Sequence, residues 1–412
     1  MNIEKLKKIV IFGSYNKQSV GDKAILISII DLLFRNSANK IVVEVICFDS
    51  EAIQEELKFF PWSPSVNVVP FQENLQYAPG KKLSVGVKNK LGKFIPRSLI
   101  HAISSVKFYY NYKPKFDTNA DLLIIGGGNL LMDLFPSWLI MPYVITRRFK
   151  CPYVIAGVGA FPIKTLFGSL IIKRLLKSSS LNYVRDKKTY DLVKKGYGID
   201  CNLHPDFAFS YPTEVEENGD KNENMIAVNI APIFSPQWPY SDEAKFENFI
   251  NIIAEGLYYE LLNNNAYNKL LFFDSNYPTD RLGALNIINK LLAMGIDKSR
   301  LVYKDEITSS QGIVNMLRGV KFCIVTRLHA GILALDAGVP VLGIAYQPKV
   351  RDVFHLAGLD KGVIDIKEID GFSLFLRDFS ENSSDFKLSK EVKGNLRIKN
   401  EVVIKRILAV SN

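Results

Sequence analysis

The stretch Cys323-Ile-Val-Thr-Arg-Leu-His-Ala-Gly-Ile-Leu-Ala-Leu-Asp-Ala-Gly-Val-Pro340 holds a strand, a turn and a helix. The apolar run Phe322–Val325 reads as a buried strand and Thr326–His329 as a polar turn. Ala330–Ala337 reads as a helix ended by Gly338 and Pro340. A further apolar run, Val341–Ala345, supplies the next strand. In an open α/β sheet, ligands bind at the carboxyl ends of strands, where the following helix begins. Arg327 and His329 fall at that position. One brings a permanent cation with a planar fork of donors, the other a side-chain type that titrates near neutrality. A capping arginine and a core histidine would give the same local pattern, so the rest of the chain has to decide.

Outward from this unit the same alternation repeats. On the amino-terminal side lie strands at Lys8–Phe12, Ile41–Phe48, Asp121–Ile125, Pro152–Val158 and Leu181–Val184. Helical periodicity runs through Lys23–Phe34, Glu51–Phe59, Pro96–Tyr110, Lys164–Lys177 and Asp186–Lys195, while much of 51–116 reads as irregular. After a polar, acidic stretch at Tyr211–Asn224, strands at Met225–Ile230, Lys269–Phe273, Leu301–Lys304 and Gly362–Ile366 alternate with helices at Ser241–Asn263, Asp280–Met294, Ser309–Arg318 and Val350–Ala357. Alternating strands and helices imply parallel sheets with right-handed crossovers. Two such blocks with one linker imply two doubly wound domains facing across a cleft. The expected boundaries are 1–212, a linker at 213–224, a second domain at 225–375 and a helical tail at 376–412.

Length agrees, since 412 residues exceed one ordinary core and 48% are apolar. The four cysteines Cys47, Cys151, Cys201 and Cys323 lie far apart with no C-x-x-C, which favours separate thiols over disulfides. Neither H-E-x-x-H nor an Asp-rich loop occurs, so no metal site is expected. The amino terminus lacks a signal-peptide h-region. Leu122–Thr146 is long and apolar, but Asp133, Gly126-Gly-Gly128, Pro136 and Pro142 suit strand, turn and helix better than a membrane span. A cytoplasmic protein, peripheral at most to the inner membrane face, is the expectation.

Charge is uneven. Residues 1–210 carry 29 Lys+Arg against 16 Asp+Glu, and the remainder 23 against 26. No acid occurs between Glu73 and Asp117 or between Asp133 and Asp186, and apolar residues are interleaved with the bases. That composition suits either a solvated face or the surface of an anionic bilayer. No nucleic-acid-binding motif is present, so nucleic acid is not an expected partner.

Gly126-Gly127-Gly128-Asn129 ends the third strand of the first half. Glycines there serve a tight turn or let backbone amides approach an anion. With the other blocks a set emerges: Gly21-Asp22, Asp121…Gly126-Gly-Gly-Asn-Leu-Leu-x-Asp133, Gly157-Val-Gly-Ala-Phe-Pro162, Val184-Arg-Asp186, Pro205-Asp-Phe-Ala-Phe209, Arg327-Leu-His-Ala330, Gly338-Val-Pro340 and Tyr346-x-x-Lys349. In order and spacing, from about residue 9 to about residue 360, they resemble the polysaccharide pyruvyl transferase family. The family's fold, two Rossmann-like halves similar to GT-B glycosyltransferases, agrees with the alternation above. Two blocks depart from the family pattern. Ser19 stands where the family usually has Asn before Gly-Asp, and Ala160-Phe161-Pro162 replaces a small Gly/Ile pair.

The resemblance implies transfer of the three-carbon unit of phosphoenolpyruvate to sugar hydroxyls, with a ketal formed and phosphate released. No cofactor is needed beyond the donor. It implies that Arg185 and Arg327 hold the donor's phosphate and carboxylate and that His329 is the acid or base. Those residue types suit the chemistry. Guanidinium forks meet both anionic groups, and the methylene carbon must be protonated before its neighbour accepts an alcohol. His329 ranks first as proton donor, with the Asp206 carboxylate second as a group to take the hydroxyl proton. Lys349 is a further anion contact, and Asn129, Gly127 and Gly128 are substrate-binding candidates. Asp22 and Asp133 read as loop-holders. The acceptor would be a cell-surface or capsular glycan or its lipid-linked precursor. The competing reading is a GT-B glycosyltransferase using a nucleotide sugar.

Overall fold

The computed structural model describes residues 6–38, 40–71, 97–133, 136–160, 162–213, 224–238, 240–264, 267–305 and 307–411. Most of the expected linker therefore lies outside the described residues. Contacts divide the chain into two compact units. The first contains residues 1–16, 29–206 and 401–412, and the second 17–28 and 207–400.

The first unit is built on a parallel sheet. Its strands are β1 (Lys7–Phe12), β2 (Ile41–Cys47), β3 (Val66–Pro70), β4 (Leu122–Gly126), β5 (Tyr153–Val158), β6 (Leu181–Val184) and β7 (Asn202–Leu203). Their order is β3-β2-β1-β4-β5-β6-β7, so the order reverses between β1 and β4. Between the strands run α1 (Val20–Asn36), α2 (Ser50–Leu57), α3 (Arg97–Asn111), α4 (Pro136–Arg148), α5 (Leu166–Ser178) and α6 (Lys187–Asp191). Strands such as Leu122-Leu-Ile-Ile-Gly126 are buried at every position, as a sheet covered by helices on both faces requires. The core gathers Val10, Phe12, Leu123, Ile125 and Ile155 with Val144 and Ile145 of α4 and Leu175 and Leu176 of α5. Strand β3 was not expected. Asn67 and Pro70 break its apolar run, and its place is fixed by parallel pairing with β2.

The second unit repeats the plan. Its strands are β8 (Met225–Asn229), β9 (Lys269–Phe273), β10 (Leu301–Lys304), β11 (Phe322–Val325), β12 (Val341–Ala345) and β13 (Val363–Asp365), in the order β10-β9-β8-β11-β12-β13. Helices α7 (Glu243–Asn263), α8 (Arg281–Ala293), α9 (Ser310–Leu317), α10 (Leu328–Asp336) and α11 (Pro348–Leu356) separate them. Two more follow, α12 (Phe372–Glu381) and α13 (Lys390–Ala409). The expected boundary at 375/376 falls inside α12, which is core rather than tail. Phe372, Leu376 and Phe379 are buried on the sheet and α7. Gly256 of α7 is what admits Phe372, since a Cβ there would lie 2.7 Å from the phenyl ring.

The expected first domain also differs at its start. Residues 17–28, with the first turns of α1, belong to the second unit. Backbone hydrogen bonds hold them there, from Val20 N to Ser275 O (3.1 Å) and from Tyr277 N to Gln18 O (3.1 Å). The Ser310 hydroxyl donates to Val20 O (3.1 Å). All four cysteines are free thiols.

Candidate active site

In the second unit the strand order reverses between β8 and β11, and Arg327 and His329 sit just beyond the end of β11. Thr326 locks this corner. Its amide donates to Asn229 O at 3.0 Å, and its hydroxyl oxygen accepts from Ala231 N at 2.6 Å. Arg327 is the extended residue that precedes α10. Its Nε donates to Asp280 Oδ1 at 2.8 Å, and Nη2 reaches the same oxygen at 2.7 Å. The guanidinium carbon lies 5.7 Å from the Trp238 ring centroid. Trp238 in turn meets Tyr346 edge-on at 5.4 Å. Burial opposes the cation, but the Asp280 charge and the Tyr346 hydroxyl outweigh it, and the Arg327 pKa is raised.

Asp280 is the residue that sequence reasoning missed. It is fully buried, and its second oxygen accepts from Ser275 N (3.1 Å), Asn276 N (3.0 Å) and Asn229 Nδ2 (3.2 Å). In the sequence it read only as the start of a helix. Its true signal is a carboxylate in a loop after a buried strand, facing an arginine two strands away in the sheet. The side-chain exposures differ, 17% for Arg327 against 1% for Asp280. The carboxylate is sealed while the arginine side chain stays partly exposed.

The same loop places His329. Ser275 O anchors Val20 N, and Asn276 bridges to Ser19. Gly21 is thereby laid against the imidazole, where a Cβ would fall 2.0 Å from His329 Nδ1. Only glycine fits. Ser19, where the family usually has Asn, caps the helix by accepting from Asp22 N (3.3 Å). Lys349 lies partly buried in the first turn of α11, beyond the end of β12. At the far end of α10, buried Asp336 pairs with Lys393 of α13 at 2.7 Å, which fixes the helix at both ends.

At the end of β9 lies a second missed carboxylate, Asp274. Burial pushes its carboxyl up to about 6, against a hydrogen bond from Tyr303 and with help from the nearby Asp280 charge. Tyr303 Oη donates to Oδ2 at 2.9 Å, and among the described residues Oδ1 has no hydrogen-bond partner.

In the first unit the structure brings Arg185, Asp206 and Asn129 together. Arg185 follows β6, and its Nη1 donates to Asp206 Oδ2 at 2.8 Å and Nη2 to Asn129 Oδ1 at 3.2 Å. This ion pair is sealed, with side-chain exposures of 4% and 2%. Gly159 passes so close that a Cβ would lie 2.5 Å from Asn129 Oδ1. Gly128 O accepts from Gly159 N at 2.9 Å. Gly127 has φ +83° and lies under the Tyr15 ring, 2.7 Å from where a Cβ would be. The chain's own Tyr15 thus accounts for the close approach at Gly127. Asp133 does hold a loop, for its two oxygens accept from Lys164 N (2.7 Å) and Thr165 N (2.6 Å) at the start of α5.

The family model for polysaccharide pyruvyl transferase matches residues 20–348. The chain belongs to the polysaccharide pyruvyl transferase family. Membership makes it a transferase of polysaccharide biosynthesis, and the matched span includes both arginine clusters and His329. The amylovoran biosynthesis protein AmsJ of Erwinia amylovora is 24% identical over 391 residues, which cover 88% of this chain and 89% of AmsJ. Among solved structures, the UDP-GlcNAc 2-epimerase of Methanocaldococcus jannaschii is similar with a TM-score of 0.57 at 12% identity, over 98% of this chain and 99% of that one. The HepE protein of Anabaena, solved with UDP-glucose, has a TM-score of 0.52 at 10% identity, over 97% and 98%. At such identities these likenesses show the fold. It is α/β and GT-B-like, with two Rossmann-like halves, as expected for the family.

Proposed function

We propose that the chain transfers the enolpyruvyl carbons of phosphoenolpyruvate to hydroxyls of a glycan or its lipid-linked precursor, as a ketal. The observation that supports this best is the pairing at the end of β11. An arginine held by Asp280 keeps its side chain partly exposed, and an imidazole stands two residues on at the start of α10. Arg327, with Lys349 and the α10 amino terminus, suits an anionic donor group. His329 gives a proton to the methylene carbon, which becomes a methyl group. The neighbouring carbon then carries positive charge, and a sugar hydroxyl attacks it and loses its proton to a base. The bond between that carbon and the phosphate oxygen breaks, phosphate leaves, and a second hydroxyl closes the ketal as its proton returns to His329.

Asp206 fits the role of base less well than that of support, because its oxygen is engaged with Arg185 in a sealed pair. Asn129 shares that network. Replacing His329 by Ala is expected to lower acceptor-dependent phosphate release from phosphoenolpyruvate by about 10²–10⁴-fold, the usual worth of general acid catalysis. Near-normal release would remove His329 from the mechanism. In the same preparation, thermal stabilisation by a nucleotide sugar and none by phosphoenolpyruvate would favour glycosyl transfer instead.

A further inference from the structure

Helix α3 is apolar on two sides. Its inner side, with Ser105, Phe108 and Tyr109, is turned to the core, and Tyr112 just beyond its end stacks on Phe71. Arg148 of α4 fixes it there by donating to Tyr109 O (2.8 Å) and Tyr112 O (3.0 Å). The outer side carries Leu99, Ile103, Val106 and Tyr110, spaced by four, three and four residues along one helical stripe. Helix α5 packs beside α3 and presents Leu166 and Leu170. These six side chains are between 49% and 83% exposed. Burying each would remove a large apolar area from water, so leaving six on two neighbouring helices is unfavourable in solution.

The charge on the two helices themselves has one sign. Lys107 on α3 and Lys173, Arg174 and Lys177 on α5 are exposed, and no acid occurs in either helix. A protein partner for this face would have to be acidic as well as apolar, whereas an anionic bilayer offers both properties together.

We propose that the outer face of α3 and α5 docks on an anionic lipid surface. The inference rests on the proposed reading only in supplying the purpose, a membrane-held acceptor. Position within the first unit fits that purpose. The start of α5 is tied by Lys164 N and Thr165 N to Asp133. Asp133 N is bonded to Pro162 O, and Leu131 N to Gly159 O. Leu166 therefore stands at the carboxyl edge of the sheet, the edge that carries Asn129 and Arg185. A sugar on a lipid carrier would arrive at the edge where the acceptor is needed.

Flotation of the full chain with phosphatidylcholine vesicles, with and without roughly one-third phosphatidylglycerol, tests this directly. Binding is expected with the anionic vesicles and should weaken from roughly 0.1 to 0.5 M salt. The double variant Leu166→Ser/Leu170→Ser and the double variant Lys173→Glu/Lys177→Glu should each lower partitioning by at least about tenfold. Both alter exposed positions, and unchanged thermal melting confirms that they fold. Equal flotation with neutral vesicles, no flotation, or full binding by both variants overturns the proposal. So does a wild-type dimer that the Leu variant dissolves, for then a second copy covers the face. Phosphate release with a soluble saccharide acceptor is measured in parallel. Turnover without flotation sinks only the membrane surface, and flotation without turnover sinks only the pyruvyl transfer.

Discussion

The two units each place an arginine beyond a strand's carboxyl end and pair it with an aspartate, yet the two pairs differ. Arg185 and Asp206 are sealed together, and the guanidinium spends a second nitrogen on Asn129. Arg327 pairs with Asp280, rests near Trp238 and Tyr346, and stays partly exposed. A buried pair with both partners satisfied holds loops in place at a cost in desolvation. A supported cation that stays partly exposed suits, on the proposed function, an anion that arrives from outside. On the proposed function, the same residue type serves as an organiser in one unit and a receptor in the other.

The largest expected effect breaks that comparison at the receptor. Arg327→Lys keeps the charge but loses the fork, and a lysine at a bidentate site is not an equivalent residue. Acceptor-dependent kcat/KM should fall by about 10³, or about 4 kcal/mol of transition-state binding. The urea midpoint should change little, because Asp280 keeps its backbone donors. A large stability loss with turnover preserved would make Arg327 the organiser.

The organiser pair should respond in the opposite way. Asp206→Leu leaves Arg185 buried without its carboxylate, and breaking one partner of a buried pair costs about 3–5 kcal/mol. Urea unfolding of the full chain should show this as an early loss of the first unit. If Asp206→Leu instead leaves stability intact and abolishes turnover, the sealed pair is chemical and the comparison fails.

These differences were only partly legible in the sequence. Unbroken apolar strands such as Leu122–Gly126 and Phe322–Val325 announce a covered parallel sheet, and the glycine that ends α10 announces itself. That is why the alternation and the position of Arg327 and His329 could be read directly. Strand β3 could not, because its residues earn their place by pairing with β2 rather than by local pattern. Asp280 looked like any residue at a helix start. Its worth depends on an arginine 47 positions later. Gly21 looked like part of the first loop, and nothing local says that its missing side chain makes room for His329. Long-range pairing fixes the site, while periodicity fixes only the frame that carries it.

The smallest effect sharpens the comparison by asking how the receptor end is tuned. Asp274 and Asp280 lie in one loop, and the Asp274 carboxyl is pushed up to about 6 from its ordinary 3.8 by burial, with Asp280 adding to the rise. A carboxyl whose folded pKa is raised binds its proton more tightly in the folded state. Its stabilising contribution is therefore complete below about 3.8 and is lost as pH rises towards about 6. Above that the buried charge is a standing cost. Asp274→Asn removes the charge and keeps an acceptor for Tyr303, so it should stabilise the fold at pH 7 by about 1–2 kcal/mol. Part of the relief from burying that charge is given back because the new amide hydrogens enter a space shaped for an oxygen. Near pH 4 the variant should unfold at a somewhat lower urea concentration than the parent, by that amide cost, and its advantage should emerge as pH rises towards about 6 and beyond. A gap that is constant with pH would mean that Asp274 is not titrating in this range. The receptor loop would then hold Arg327 with one buried negative charge at Asp280 and a second permanent one beside it.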